Sequence, residues 1–127
     1  MKNSGSGHSL IGKVSAYISG SGERDLPAGV IEKAKHHILD TLAAMVSGSR
    51  LRPGEMVKKF IQKQAGTREA QVAGSQIITS AIHAAFANGI MAHADETDDA
   101  HSGSYTHPGC AIVPAALSMA EKEGAAA

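Results

Sequence analysis

The residues best suited to chemistry in this chain lie in one polar stretch, residues 93–109. Its carboxylates and imidazoles are Asp95, Glu96, Asp98, Asp99, His93, His101 and His107. No lysine or arginine occurs between Arg68 and Lys122, so no cation close in sequence offsets the negative charge. A carboxylate beside an imidazole in a partly dry cleft is typical of acid and base catalysis near neutral pH.

His107 is the imidazole best placed for such a role. It precedes Pro108, and the residue before a proline is held in an extended conformation, so its side chain points in a restricted direction. The alternative from the residues alone is a solvated loop whose carboxylates cap the next helix and whose His101 is simply exposed. The sequence by itself leaves both interpretations open.

A divalent-cation-binding module is a second alternative for the same stretch. The residue types suit Zn, Mn or Fe, and oxygen-rich loops also attract hard cations. However, the spacing matches no ligand motif: there is no HExxH, and Asp95, Thr97 and Asp99 lack the later acceptors of an EF-hand loop. We therefore predict no metal and no other cofactor.

The composition predicts an all-α fold. The chain has 127 residues, of which 43% are apolar, and this length fits one domain or a piece of one. Alanine, the strongest helix former, is the commonest residue, whereas aromatic bulk is scarce. A core of this kind brings helices close together.

Charge and hydropathy exclude several classes of partner. The net charge is zero, without the basic footprint of a nucleic-acid binder. The N-terminus lacks the apolar core of a signal peptide, and the longest apolar run, residues 77–92, is too short to span a bilayer. The single cysteine, Cys110, excludes an intramolecular disulfide. We predict a cytoplasmic protein that binds neither nucleic acid nor membrane.

Helical spacing and helix breakers predict about five helices within residues 9–127, after a Gly/Ser-rich segment, residues 1–8, that we expect to be disordered. The start and stop signals are Ser9 and Ser19, Asp25 with Pro27 and Ser47-Gly48, then Pro53 and Gly66. In the third helix, Val57, Phe60 and Ile61 are predicted to face inward. Residues 70–74 are read as a small extended segment.

The fourth predicted helix, Gln76 to His93 with Ser75 or Thr79 as its cap, delivers His93 to the polar stretch. It is apolar on almost all sides, which is typical of a buried helix. Gly89 within it is read as a site of close helix packing. In the fifth helix, Pro114 is placed in the first turn, where a missing N–H costs little.

The polar stretch and its flanks resemble the MmgE/PrpD family, which includes 2-methylcitrate dehydratase, cis-aconitate decarboxylase and iminodisuccinate epimerase. The resemblance rests on residues 87–93, Asp98-Asp99, His107-Pro108-Gly109, the Ala-rich segment ending Met119-Ala120-Glu121, and residues 38–44 in the earlier part of the chain. It implies the N-terminal part of a large all-α domain that later segments complete, followed by a second, α+β lid domain. It also implies a homodimer.

The family pattern includes several residues of the loop. His93, Asp98, Asp99, His107 and Pro108 match it. The chain departs from it in three places: Glu96 stands where the family often has Asp, Thr97 where it has an apolar residue, and Ala100 where it has Thr. Glu96 keeps the carboxylate but moves it about one methylene outward, and Ala100 removes a hydroxyl donor, so the substrate is expected to differ from those of well-known members.

The resemblance implies a metal-independent lyase or isomerase that acts on a small di- or tricarboxylate by proton transfer next to a carboxylate. It assigns His107 as the acid or base, with Glu96 or Asp95 orienting it or sharing its proton. The substrate-binding candidates are Asp98, Asp99, His93 and His101. We also expect Asp98 and Asp99 to hold the loop through backbone N–H groups of the following helix.

The resemblance also implies that residues 1–127 lack part of the active site, including the basic residues that would meet substrate carboxylates. We therefore expect no turnover from this fragment alone. The remaining alternative is a helical interaction fragment without chemistry of its own, whose apolar faces would need partners.

Overall fold

A computed structural model of the chain describes residues 9–64 and 66–125. The predicted disordered segment, residues 1–8, lies outside the described residues. The described α-helices are α1 (Leu10–Ser19), α2 (Ala28–Gly48), α3 (Arg52–Gln62), α4 (Ala81–Ala92) and α5 (Gly109–Glu123). A short 3₁₀ helix (Ser21–Glu23) and two short strands, β1 (Ala70–Gln71) and β2 (Ile78–Thr79), complete the described elements. The predicted all-α fold is confirmed, and none of the described helices is both long and apolar enough to cross a membrane.

The chain divides into two compact units, one up to Glu32 and one from Lys33 onward. In the first unit, the Ser9 side chain caps α1 by accepting a hydrogen bond from the Gly12 N–H at 3.1 Å, as the sequence predicts. The candidate chemical residues all belong to the second unit.

The core of the second unit is built mainly where α4 packs on α3, β1 and α5. One cluster of buried residues joins α3 and α4 through Val57, Ile61, Ala84 and Met91. A smaller cluster contains Met45, Ala92 and Val113. Since Met91 and Ala92 end α4, the core fixes the point at which the chain leaves that helix for the polar stretch.

Glycines allow the helices of this unit to approach one another closely. A Cβ added to Gly48 would lie 1.9 Å from the Met91 carbonyl oxygen, so the space beside Gly48 is too small for a side chain. A Cβ on Gly89 would lie 3.1 Å from the Cys110 carbonyl oxygen of α5. The prediction that Gly89 marks close helix packing is therefore confirmed.

The start of α4 differs from the prediction. Strand β1 agrees with the predicted extended segment, but its antiparallel partner β2 takes up residues that the sequence assigned to the helix. The helix consequently begins at Ala81, and Ser80, rather than Ser75 or Thr79, caps it by accepting from the His83 N–H at 3.4 Å. Apolar periodicity alone cannot separate a short buried strand from the helix that follows it.

Three further predictions about apolar residues are wrong. Phe60 in α3, expected to face inward, is 50% exposed, and its ring packs edge-on against Phe86 of α4. α4 is not buried all round, since Ile82 is 81% and Phe86 is 52% exposed. Pro114 lies inside α5, beyond its first turn, because that helix already begins at Gly109.

Candidate functional site

The candidate site forms between the end of α4 and the start of α5. His93 is the C-cap of α4, and its backbone N–H donates to the Gly89 carbonyl at 3.3 Å. Pro108 is the N-cap of α5 and follows His107 directly. Two packed helices therefore hold the ends of the polar loop, so the side chains at its two ends are positioned by rigid elements.

Asp98 is the centre of the site. Its side chain has 0% exposure, and both of its oxygens lie 3.0 Å from His93 Nδ1. His107 Nδ1 lies 3.5 Å from Asp98 Oδ1, and the two imidazole rings have centroids 5.0 Å apart. A buried carboxylate thus touches two imidazoles, each of which keeps part of its surface in solvent.

Asp99 fixes the start of α5. Its Oδ1 accepts a hydrogen bond from the Gly109 N–H at 2.8 Å, which satisfies one of the unpaired donors at the helix N-terminus. A Cβ on Gly109 would lie 2.5 Å from Asp99 Oδ1 and 2.8 Å from Thr41 Oγ1, so only glycine fits between these groups. Asp99 therefore holds the loop through a backbone N–H of the following helix, in the way expected from the sequence.

Asp95 anchors the other side of the loop to α2. Its carboxylate accepts hydrogen bonds from the Ser47 hydroxyl at 2.6 Å and from the Thr97 hydroxyl at 2.7 Å. The Ser47 bond, followed by the Thr97 bond, lowers the pKa of Asp95 below the ordinary value of an aspartate. Hydroxyl and amide donors, rather than a cation, thus stabilise the carboxylates of Asp95 and Asp99.

Two further candidate residues, Glu96 and His101, lie on exposed parts of the loop. Glu96 is exposed and adopts a left-handed backbone conformation with φ 56°. His101 is exposed, its Nδ1 lies 2.7 Å from the Ser104 hydroxyl, and its backbone pairs with Thr106. No hydrogen bond or ion pair joins His107 to Asp95 or Glu96 within the described residues, so the carboxylate beside His107 is Asp98.

The single cysteine, Cys110, lies beside this centre. Its thiol donates to the His107 carbonyl at 3.1 Å. Burial, and after it the nearby Asp98 carboxylate, raise the pKa of Cys110, so the thiol is protonated at neutral pH. Its Sγ, a ring nitrogen of His93 and an Asp98 oxygen all lie within 4.8 Å of one another.

An open cleft of about 330 Å³ borders the site. Its lining residues are His37, Asp99, Ala100, His101, Pro108, Gly109, Ile112 and Val113. Two of the predicted substrate-binding residues, Asp99 and His101, thus contribute to one cleft. His37 of α2 also lines it.

The structure brings His93, Asp98 and His107 together. Asp99 and His101 line the neighbouring cleft, whereas Asp95 bonds to Ser47 and Glu96 is exposed. Sequence reasoning missed the neighbours supplied by α2, namely Ser47 and Thr41. Ser47 gave only a helix-stop signal, whereas Thr41 belongs to the segment that carries the family resemblance. Their contacts cross more than 40 positions of sequence, which no local pattern records.

Comparisons with known proteins identify a family and a relative of this chain. Residues 12–127 match the MmgE/PrpD N-terminal domain. Over 97 residues the chain is 33% identical to the cis-aconitate decarboxylase-like protein oryM of Aspergillus oryzae (strain ATCC 42149 / RIB 40), a match that covers 76% of this chain and 20% of the relative. No solved structure matches the chain. Because the domain match extends over most of its residues, the chain belongs to the MmgE/PrpD family.

Proposed function

We propose that the protein is a lyase or isomerase that moves a proton next to a carboxylate of a small di- or tricarboxylic acid. The chain spans about a fifth of the length of the relative it matches, whose name is cis-aconitate decarboxylase-like. The observation that carries the proposal is the fully buried Asp98 carboxylate between two partly exposed imidazoles. A buried carboxylate that fixes an imidazole is a recurrent arrangement for proton transfer.

In the proposed mechanism, His107 is the acid or base and Asp98 positions it. His107 Nδ1 faces Asp98, so a neutral ring carries its proton on that nitrogen and presents the Nε2 lone pair to the substrate. Nε2 takes the proton from the carbon next to a substrate carboxylate. The electron pair left on that carbon then either expels a hydroxyl group, which takes the proton now held on His107 Nε2 and leaves as water, or accepts a proton from solvent on the opposite face.

A decarboxylation uses the same group in the opposite direction. The bond between the substrate carbon and its carboxylate breaks, and carbon dioxide leaves while the electron pair of that bond stays on the carbon. The protonated His107 ring then donates a proton to this carbon. Asp98, negatively charged and buried, stabilises the imidazolium in either direction. His93 holds Asp98 from its other side, at 3.0 Å.

The remaining acidic residues take separate roles in this proposal. The oxygens of Asp95 already accept two hydroxyl bonds, so Asp95 anchors the loop to α2. Glu96 is exposed on the same loop and is the carboxylate that we assign to share a proton with the substrate. Asp99 and His101 line the cleft and contact the substrate there.

The test is steady-state kinetics of the full-length protein with two site variants and one control. His107→Gln should lower kcat by about 100-fold or more, which is the contribution of a positioned acid or base. Asp98→Asn should lower kcat with little change in KM, because it acts through His107. His36→Gln, the same change at an exposed histidine of α2, should leave kcat unchanged.

The substrates to test are small di- and tricarboxylic acids, with release of water, release of carbon dioxide and change of configuration measured separately. Circular dichroism of each variant verifies that it is folded. A His107→Gln protein with a kcat within threefold of wild type would remove His107 from the mechanism.

A further inference from the structure

Four potential metal ligands of three chemical types surround the Asp98 centre. A ring nitrogen of His93, an Asp98 oxygen and Cys110 Sγ lie within 4.8 Å of one another, and His107 Nδ1 lies 3.5 Å from Asp98 Oδ1. Two of the four residues come from the end of α4 and the start of α5. The packed helices therefore position these donors before any ion arrives.

The spacing of these atoms is close to that of a tetrahedral zinc site. Ligand bonds of about 2.0–2.3 Å place neighbouring ligand atoms about 3.3–3.8 Å apart at tetrahedral angles. The Asp98 oxygens lie 3.0 Å from His93 Nδ1 and 3.5 Å from His107 Nδ1. The wider separations among His93, Asp98 and Cys110, up to 4.8 Å, must contract by about 1 Å when an ion binds.

We propose that this cluster is a binding site for a thiophilic divalent cation such as Zn²⁺, with His93, Asp98, Cys110 and His107 as ligands. A set of one thiolate, two imidazoles and one carboxylate favours zinc-class ions over Mg²⁺ or Ca²⁺, which prefer oxygen ligands. Binding replaces the contacts between Asp98 and the imidazoles with bonds to the ion. The Cys110 thiol releases its proton to solvent as the sulfur binds.

Occupation of this site has a consequence for catalysis that rests on the proposed function. The ion takes the Nδ1 of His107 and the carboxylate that positions this ring. An imidazole bound to a cation through one nitrogen is a poorer base at the other nitrogen. Zinc-class ions therefore inhibit the proposed proton transfer, and chelation restores it.

The experiment is a titration of the protein with Co²⁺, followed by competition with Zn²⁺. A thiolate-to-cobalt absorption band should appear and saturate at one ion per chain. Cys110→Ser should abolish the band and weaken Zn²⁺ binding by at least about 100-fold, the upper range seen for changes to groups that merely support a ligand. His101→Ala, a change at an exposed histidine of the same loop, should leave both unchanged.

X-ray absorption of the zinc-loaded wild-type protein provides a readout that does not depend on any variant. One sulfur and three nitrogen or oxygen neighbours are expected. A zinc coordination sphere without sulfur, or a Co²⁺ titration without the thiolate band, would overturn the proposal. Because binding is measured without substrate, its failure is distinguishable from failure of the proposed function, which the His107→Gln kinetics decide.

Discussion

Replacement of Gly48 by alanine should destabilise the second unit severely. Gly48 is buried at the end of α2, and a Cβ there would lie 1.9 Å from the Met91 oxygen and 2.8 Å from the Met91 carbonyl carbon. A carbon atom stays about 3.3 Å or more from a backbone oxygen, so the helices must separate by about 1.4 Å. The obstacle is backbone, which cannot rotate away as a side chain would.

The expected loss in the free energy of unfolding is about 3 kcal/mol, the upper end of the range for overpacked cores. The gain from replacing a helical glycine with alanine, at most about 1 kcal/mol, offsets only part of this loss. Separation of these helices also lengthens the bond between Ser47 and Asp95, which measures 2.6 Å. The loop is therefore expected to loosen together with the core.

The assay is urea unfolding followed by circular dichroism. The net loss of about 2 kcal/mol lowers the midpoint by about 0.7–2 M for urea slopes of about 1–3 kcal/mol/M. Gly29→Ala is the matched control, because it makes the same change in the same helix where an added Cβ meets no described atom within 4 Å. The control should be neutral or more stable. Equal midpoints for Gly48→Ala and wild type would refute the close helix approach.

Two further predictions concern single hydrogen-bonded groups. Ser47→Ala removes the largest cause of the lowered pKa of Asp95, so that pKa should rise toward its ordinary value in a carboxyl NMR titration. Because the native pKa is lowered, the bond stabilises the fold above the ordinary carboxyl pKa, and this stability is lost as the pH falls through the lowered pKa. An unchanged pKa of Asp95 in the variant would contradict the prediction. The Asn88 side-chain amide accepts from the Ala73 N–H at 2.8 Å and donates to the Gln71 carbonyl at 3.0 Å. Asn88→Ala removes both bonds and should lower the free energy of unfolding by about 2–3 kcal/mol. A loss below about 0.5 kcal/mol in urea unfolding would contradict the importance of these two bonds.

The helices could be predicted where a local signal was strong. Ser9 caps α1 and Pro53 lies in the first turn of α3, because side-chain caps and proline act within a few residues. The start of α4 could not be predicted in this way, since β2 exists only through its pairing with β1. The prediction that Pro114 lies in the first turn of its helix failed for a related reason. Pro114 lies inside α5, where tertiary packing overrides the low helix propensity of proline.

The sequence predicted which residue types form the site but not which of these residues contact one another. The polar stretch and the prominence of His107 followed from composition and from Pro108. Which carboxylate touches His107 depends on the path of a loop whose backbone turns at Glu96 with φ 56°, an uncommon conformation for glutamate. Because neighbouring carboxylates look alike in sequence, only the fold distinguishes the buried Asp98 from the exposed Glu96.

The Cys110 carbonyl lies between two residues, Gly89 and Pro114, each of which lacks a group that other residues carry. Pro114 has no N–H to donate to the Cys110 carbonyl one turn earlier, and Gly89 has no side chain to obstruct that carbonyl, which would lie 3.1 Å from an added Cβ. An amide at position 114 would draw the carbonyl back along its helix and change the space left beside position 89. What either position tolerates therefore depends on the residue at the other, and the tolerance of this helix pair to mutation is a joint property of both sites.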